Sequence, residues 1–199
     1  MGSLPFLPNP ALYTNEKQEV SDVHFWKSGS IGTIKVNSDY VLGREGAGEV
    51  ICADEDIPYL QIGDRVDIEP GVPRGQKQCQ KCSTGNYNLC SKVAFTGAPP
   101  FDGSIWRYHV HISGDWFSLF RNFLHKLPET FSFSDGGLLR PLSVVLLAFE
   151  RSPVIIGEPK VICGAGPIGL IALAVAKASG AFPIIITDVD ENRLKFAKE

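Results

Sequence analysis

Between Tyr40 and about His111 the apolar positions fall in short runs broken by glycine-rich turns. Tyr40-Val41-Leu42, Gly48-Glu49-Val50-Ile51, Arg65-Val66-Asp67-Ile68 and the stretch from Trp106 to Ile112 each predict a strand. The segment 71–100 is rich in Gly, Pro, Cys and Lys and reads as loop. Near residue 134 the period lengthens. Ser134-Asp135 predicts a helix start, and Leu138 to Arg151 an apolar helix with Pro141 near its first turn. Lys160 to Cys163 then predicts a strand, Pro167 to Ser179 a helix stopped by Gly180, and Ile184-Ile185-Ile186-Thr187 a second buried strand. The order is strand, helix, strand: one βαβ unit. Two parallel strands do not make a stable sheet alone, so the sheet is expected to be unfinished at Glu199. Residues 1–20 carry little pattern, and no repeat at solenoid periods is visible.

With 199 residues there is room for one large domain, or for one domain and part of another. The apolar share of 44% and charged share of 21% are those of a soluble globular chain. A net charge of -3 gives no electrostatic reason to expect nucleic acid or an anionic membrane as partner. Met1 to Pro10 has no basic residue, so no signal peptide is expected, and Phe6 breaks the myristoylation pattern. Ile168 to Ala176 is far too short to span a bilayer. Five cysteines, an odd count that includes one C-x-x-C, point to a reduced, cytosolic compartment with a possible metal site.

Gly164-Ala165-Gly166-Pro167-Ile168-Gly169 is a G-x-G-x-x-G placed between a predicted strand and helix, with Asp188 at the end of the next strand. Each part has a physical task for a dinucleotide. Gly164 permits the tight turn, Gly166 lets backbone approach a pyrophosphate, and Gly169 lets helix pack on strand. The helix start, from Ile168 onward after Pro167, offers free N–H groups and a favourable dipole to the phosphates. Asp188 would accept from the ribose hydroxyls and repel a 2′-phosphate, favouring NAD over NADP.

Further motifs occur in order: Ser21-Asp22-Val23-His24-Phe25-Trp26, Gly43-Arg44-Glu45-Gly46-Ala47-Gly48, Gly63-Asp64-Arg65-Val66, Glu69-Pro70-Gly71-Val72-Pro73, Thr84-Gly85-Asn86-Tyr87-Asn88-Leu89-Cys90 and Pro141-Leu142-Ser143-Val144. Together with the fingerprint they resemble zinc-dependent medium-chain dehydrogenases of the polyol group, the sorbitol, xylitol and L-arabinitol type, with a fungal texture. The resemblance spans about residues 21–199. It implies an α/β plus β chain: an atypical segment 1–20, a GroES-like β-rich catalytic domain over 21–151, and the first βαβ unit of a Rossmann NAD-binding domain over 152–199. It also implies that the chain normally continues, and that full-length relatives form homo-oligomers. In the family a zinc-bound alcohol gives a hydride to nicotinamide while its proton leaves through a hydroxyl relay, which Ser21 and His24 match. Zinc supplies the acidity: it can bring a bound water from 15.7 to about 7. Arg193 is placed to stack on adenine or to face solvent.

The resemblance also exposes departures. The family's first zinc ligand is a cysteine two residues before the Ser-Asp-Val-His run, where Glu19 stands; a block of about 30 residues is expected to be deleted there. The second is a histidine, where Arg44 stands, and a guanidinium has no lone pair to give. A unit charge about 5 Å from a divalent ion adds about 6 kcal/mol of repulsion at an effective dielectric near 20. Glu45 matches the carboxylate ligand, and Arg140 replaces a more distant glutamate. An intact catalytic zinc is therefore not expected. In the second zinc lobe, Cys79, Cys82 and Cys90 fit three of four positions and Gln76 the other, which leaves either a three-thiolate site or three free thiols. Phe117 to Phe123 reads as an insertion, from retained intron or as a surface loop. His109 and His111 form an H-x-H on one strand face, a metal pair or a partly solvated face. The function expected is an impaired NAD-dependent oxidation of a small polyol to a ketose, or a zinc-less, non-catalytic relic that keeps the fold.

Overall fold

The structure, a computed structural model, describes residues 11–16, 20–53, 58–73, 79–111, 123–152 and 157–199, with side chains from residue 21 onward. Glu19, Gln76 and most of the insertion at 117–123 lie outside the described residues. The chain divides into two compact units, Met1–Gly137 and Leu138–Glu199.

In the first unit, β1 (Ala11–Glu16) is followed by α1 (Val20–Ser28), a two-stranded ribbon of β2 (Ser30–Ile31) and β3 (Ile34–Lys35), and then β4 (Gly46–Cys52) and β5 (Arg65–Ile68). After these come β6 (Gly71–Pro73), α2 (Gln80–Ser83), a 3-10 turn at Tyr87–Leu89, β7 (Val93–Phe95), β8 (Tyr108–Val110) and β9 (Leu124–Lys126). The main sheet is antiparallel, with strand order β8-β1-β4-β5-β9. β6 and β7 pair separately, so the segment expected to be loop carries a small ladder, a helical turn and a 3-10 turn.

Two expectations are corrected here. The patternless N-terminal segment supplies β1, an internal strand that bridges β4 and β8, with Thr14, Asn15 and Glu16 opposite Gly48, Ala47 and Gly46. Backbone groups make such a pairing, so hydrophobic periodicity does not report it. Conversely, Tyr40-Val41-Leu42 is not a strand. Its backbone is bound irregularly: Val41 N–H donates to the Asp102 carboxylate at 2.8 Å, and the Val41 and Leu42 carbonyls accept from Gly103 and Ile105.

The core follows the alternation of β5. Val66 and Ile68 share a face and join Val50, Leu60 and Leu124 in one buried cluster. Removing a residue of this kind to alanine typically costs about 2–5 kcal/mol. Asp67, on the opposite face of β5, is also buried, which pushes its carboxyl up to about 6 despite the facing His125. His111 is 2% exposed and His109 half-buried, so the H-x-H is buried at one end and partly open at the other. Burial pushes His109 down to about 4 and His111 to about 3, keeping both neutral.

The helix α3 (Phe133–Arg151) begins earlier than its sequence signal, because Ser132 caps it. Ser132 N–H donates to Asp135 at 2.7 Å while Asp135 N–H donates to the Ser132 hydroxyl at 3.1 Å, a reciprocal capping pair. Pro141 consequently lies inside the helix and not near its first turn. The Arg65 guanidinium binds the Phe131 carbonyl at 2.6 Å and covers the Phe133 ring at 4.6 Å, tying the lead-in of α3 to β5.

In the second unit, β10 (Lys160–Cys163), α4 (Pro167–Ala178), β11 (Ile184–Thr187) and α5 (Glu191–Lys198) follow α3. β10 and β11 are parallel, with Lys160 opposite Ile184 and Cys163 opposite Thr187. Gly180, at φ +75°, ends the helical region as its left-handed conformation requires. Among the described residues, no helix is long and apolar enough to cross a membrane.

Candidate functional site

The site in the first unit is built from α1 and the turn that leads into β4. On α1, Asp22 and Phe25 are one turn apart and buried, while His24 and Trp26 face out. Gly29, at φ +65°, ends the helix with its N–H on the Phe25 carbonyl at 2.8 Å. The turn at 43–45 is held from two sides. Gly43 N–H donates to the Asp22 carboxylate at 3.2 Å, and the Gly43 carbonyl accepts from Ser104 N–H at 3.1 Å. A Cβ at Gly97 would strike the Gly43 carbonyl, and Gly97 has φ +75°, so glycine is required there on both counts.

Arg44 fills the space this makes. Its guanidinium lies 3.8 Å from the Asp22 carboxylate, donates to the Gly97 carbonyl at 2.7 Å and sits over the Phe25 ring at 5.1 Å. The two charged side chains are only 8% and 1% exposed. Tyr40 packs edge-on to Phe25 at 6.0 Å, and its hydroxyl is pushed up by burial, with Arg44 opposing. Asp22 thus has its partner in Arg44, 22 positions away, and neither Gly97 nor Tyr40 carries a sequence signal for this role. Ser21 is half-buried on α1, His24 exposed, and Glu45 half-buried beside Arg44 in the chain. Arg140 is half-buried on α3, within the second unit.

A second cluster links the β5–β6 connection and β9 to the cysteine lobe. Tyr87 donates to Glu69 Oε1 at 2.6 Å, and His125 Nε2 lies 3.1 Å from Glu69 Oε2. The bond to Glu69 raises His125, while burial and then Glu69 raise Tyr87. In the lobe itself, the sulfurs of Cys79, Cys82 and Cys90 all lie within 4.8 Å of one another, with Cys79 and Cys90 at 3.9 Å. Backbone N–H groups of Cys82 and Lys81 lower Cys79, and Lys92 N–H reaches Cys90 Sγ at 3.4 Å. Burial pushes Cys82 up to about 12. The short α2 and the 3-10 turn bring these thiols together from opposite ends of the lobe.

In the second unit, the G-x-G-x-x-G spans the end of β10 and the start of α4. Gly164 takes φ +105°, open only to glycine without strain. Gly166 is the N-cap of α4, with open space where a Cβ would stand, and Pro167 follows at the first helical position. A Cβ at Gly169 would run into the Gly164 carbonyl, so helix and turn approach as only glycine permits. Asp188, just past β11, accepts from Ala165 N–H at 2.7 Å and Asp190 N–H at 2.8 Å. Those two bonds, that of Asp190 foremost, hold its carboxyl below the usual range. Arg193 Nη1 lies 3.8 Å from Asp188, and Ile168 is half exposed on the first turn of α4.

Residues 18–119 match the family model of the alcohol dehydrogenase GroES-like domain, just over half of the chain. The chain belongs to this family. Among GroES-like relatives, it is 50% identical over 178 residues to L-arabinitol 4-dehydrogenase of Aspergillus oryzae, covering 89% of this chain and 44% of that protein. It is 41% identical over 179 residues to "Probable D-xylulose reductase A" of Aspergillus fumigatus, covering 90% and 47%. Similar solved structures include an Escherichia coli oxidoreductase of unknown specificity (TM-score 0.82, 33% identity, 98% of this chain and 55% of that one) and E. coli L-idonate 5-dehydrogenase (TM-score 0.82, 26%, 96% and 53%). The chain therefore spans about half the length of the family members it matches, and it carries the medium-chain polyol dehydrogenase fold.

Within this GroES-like unit the donor set at Glu45 does not fit a divalent cation. A guanidinium buried against Asp22 is a permanent positive charge with no lone pair, and it uses the carboxylate that a metal or its histidine would draw on. Among the described residues, the only group of three or more His, Cys, Asp or Glu side chains close enough to share an ion is Cys79, Cys82 and Cys90.

Proposed function

We propose that this chain is a polyol-dehydrogenase-type protein of the cytosol that binds NAD but does not carry out zinc-dependent turnover. The observation behind this reading is the Arg44–Asp22 pair at 3.8 Å, which supplies charge neutrality where a metal centre would need lone pairs. In relatives the reaction is oxidation of a secondary alcohol of a small polyol to a ketose, and bound NAD supplies the hydride acceptor. Ser21 and His24 would carry the alcohol proton, but an alcohol that no cation polarises holds its proton too tightly to give it up near neutral pH. Glu45 would be a lone carboxylate ligand in such a centre. Residues 21–151 would form the catalytic domain, and 152–199 the start of the nucleotide domain.

The nucleotide unit keeps its working parts. The open approach at Gly166 and the N–H groups after Pro167 suit a pyrophosphate at the start of a 12-residue helix. Asp188 is held ionised at the loop, where it would accept from the adenosine ribose hydroxyls and repel a 2′-phosphate. Arg193 would lie against the adenine. Calorimetric titration with NAD and NADP, alongside polyol-dependent NADH formation in the same preparation, tests this. The expected result is NAD bound more tightly than NADP, with no turnover of arabinitol, xylitol or sorbitol at any zinc concentration. Zinc-stimulated NADH formation would overturn it.

A further inference from the structure

The cysteine lobe has three sulfurs where a zinc site wants four ligands, and donor count decides what such a site holds. Metal–sulfur bonds of about 2.3 Å place sulfurs about 4.0 Å apart in a trigonal plane and about 3.8 Å apart in a tetrahedron. The Cys79–Cys90 separation of 3.9 Å suits either, so spacing does not choose. Among the described residues, no His, Asp or Glu joins the three thiols. The run just before them, Arg74-Gly75-Gln76-Lys77-Gln78, brings no thiol, imidazole or carboxylate. Cys82 and Cys90 are buried, and Cys79 is half-buried on the open side. The N–H group of Lys92 already points at Cys90, and those of Lys81 and Cys82 at Cys79, the bonds a metal-bound thiolate uses.

Structural zinc is normally closed by four protein ligands, whereas copper(I) is a softer, singly charged ion that thiolates bind strongly and that three of them satisfy without a fourth donor. We propose that Cys79, Cys82 and Cys90 form a three-coordinate thiolate site for copper(I), in place of a four-ligand zinc site. Binding is a simple exchange: three thiols release three protons, three Cu–S bonds form, and nothing is oxidised or reduced. Cys52 and Cys163 are exposed and stand outside the group, so they serve as controls.

The test is titration of the reduced chain with copper(I), buffered by a competing copper(I) chelator, followed by X-ray absorption at the copper edge. The expected result is one copper per chain, a thiolate-to-copper charge-transfer band, and three sulfur neighbours with no nitrogen or oxygen. Cys79→Ser, the least buried of the three positions, loses one sulfur from the spectrum, and Cys52→Ser with Cys163→Ser changes nothing. The spectrum of the unsubstituted chain stands on its own if a variant fails to fold. Two sulfurs only, a fourth protein ligand, or binding indifferent to Cys79→Ser would overturn the proposal.

Discussion

Replacing Arg44 with methionine keeps much of the side-chain volume over Phe25 but removes the charge that faces Asp22. At 3.8 Å, two unit charges interact by about 4 kcal/mol at an effective dielectric near 20. Both side chains are almost fully enclosed, so solvent does little to screen the loss. The Asp22 carboxylate would lose the guanidinium while keeping Gly43 N–H, and the Gly97 carbonyl would lose the Arg44 donor. Breaking one side of a buried pair costs about 3–5 kcal/mol, and Arg44→Met should fall in that range. Asp22→Asn should be costly for the mirror reason, because it leaves a buried guanidinium. The double variant should cost less than the sum, with a coupling energy of about 1–3 kcal/mol. Urea unfolding of the four proteins gives the cycle, read from midpoints at constant slope. Additive costs, with coupling below about 0.5 kcal/mol, would show that Arg44 is not held by Asp22, and the electrostatic account of the site would fail.

Acid should destabilise the first unit between about pH 6.5 and 3. His111 is held neutral with a folded value near 3, so the unfolded chain binds the proton first and stability falls as pH drops. From pH 7 to 5 that one residue should cost about 2 kcal/mol, and His109, lowered to about 4, a similar amount, so His111→Leu should roughly halve the histidine slope in urea titrations at the two pH values. Asp67, raised to about 6, works in the opposite sense, gaining stability as pH falls from about 6 to 3.8, so Asp67→Asn should steepen the acid loss. Gly169→Ala forces a Cβ against the Gly164 carbonyl, which must displace the turn; NAD affinity measured by calorimetry should fall, with secondary structure unchanged by circular dichroism. Asp188→Ala should lose NAD affinity and narrow the preference for NAD over NADP, read from the same titrations.

Much of this was legible in the chain itself where local chemistry decides the outcome. β5, β10, α4 and β11 follow from alternation, a capping proline and Gly180, and the fingerprint glycines sit where their backbone angles and close approaches require. β1 was not legible, because its role rests on backbone pairing with Gly46, Ala47 and Gly48 and not on its own pattern. Tyr40 to Leu42 has strand-forming side chains, yet a distant carboxylate and an irregular loop take its hydrogen bonds. At the site, the sequence showed a cation in place of a lone-pair donor. It could not show that Asp22, Phe25 and a carbonyl 53 positions away would enclose that cation. Such long-range partners depend on the packing of loops at 43 and 97, which no local window contains.

The most direct test of the central claim is a crystal of this chain soaked in zinc and recorded at the zinc absorption edge. The account predicts no anomalous peak beside Glu45, with Arg44 still against Asp22. A strong peak bound by Glu45, with the Arg44 side chain swung away, would contradict it.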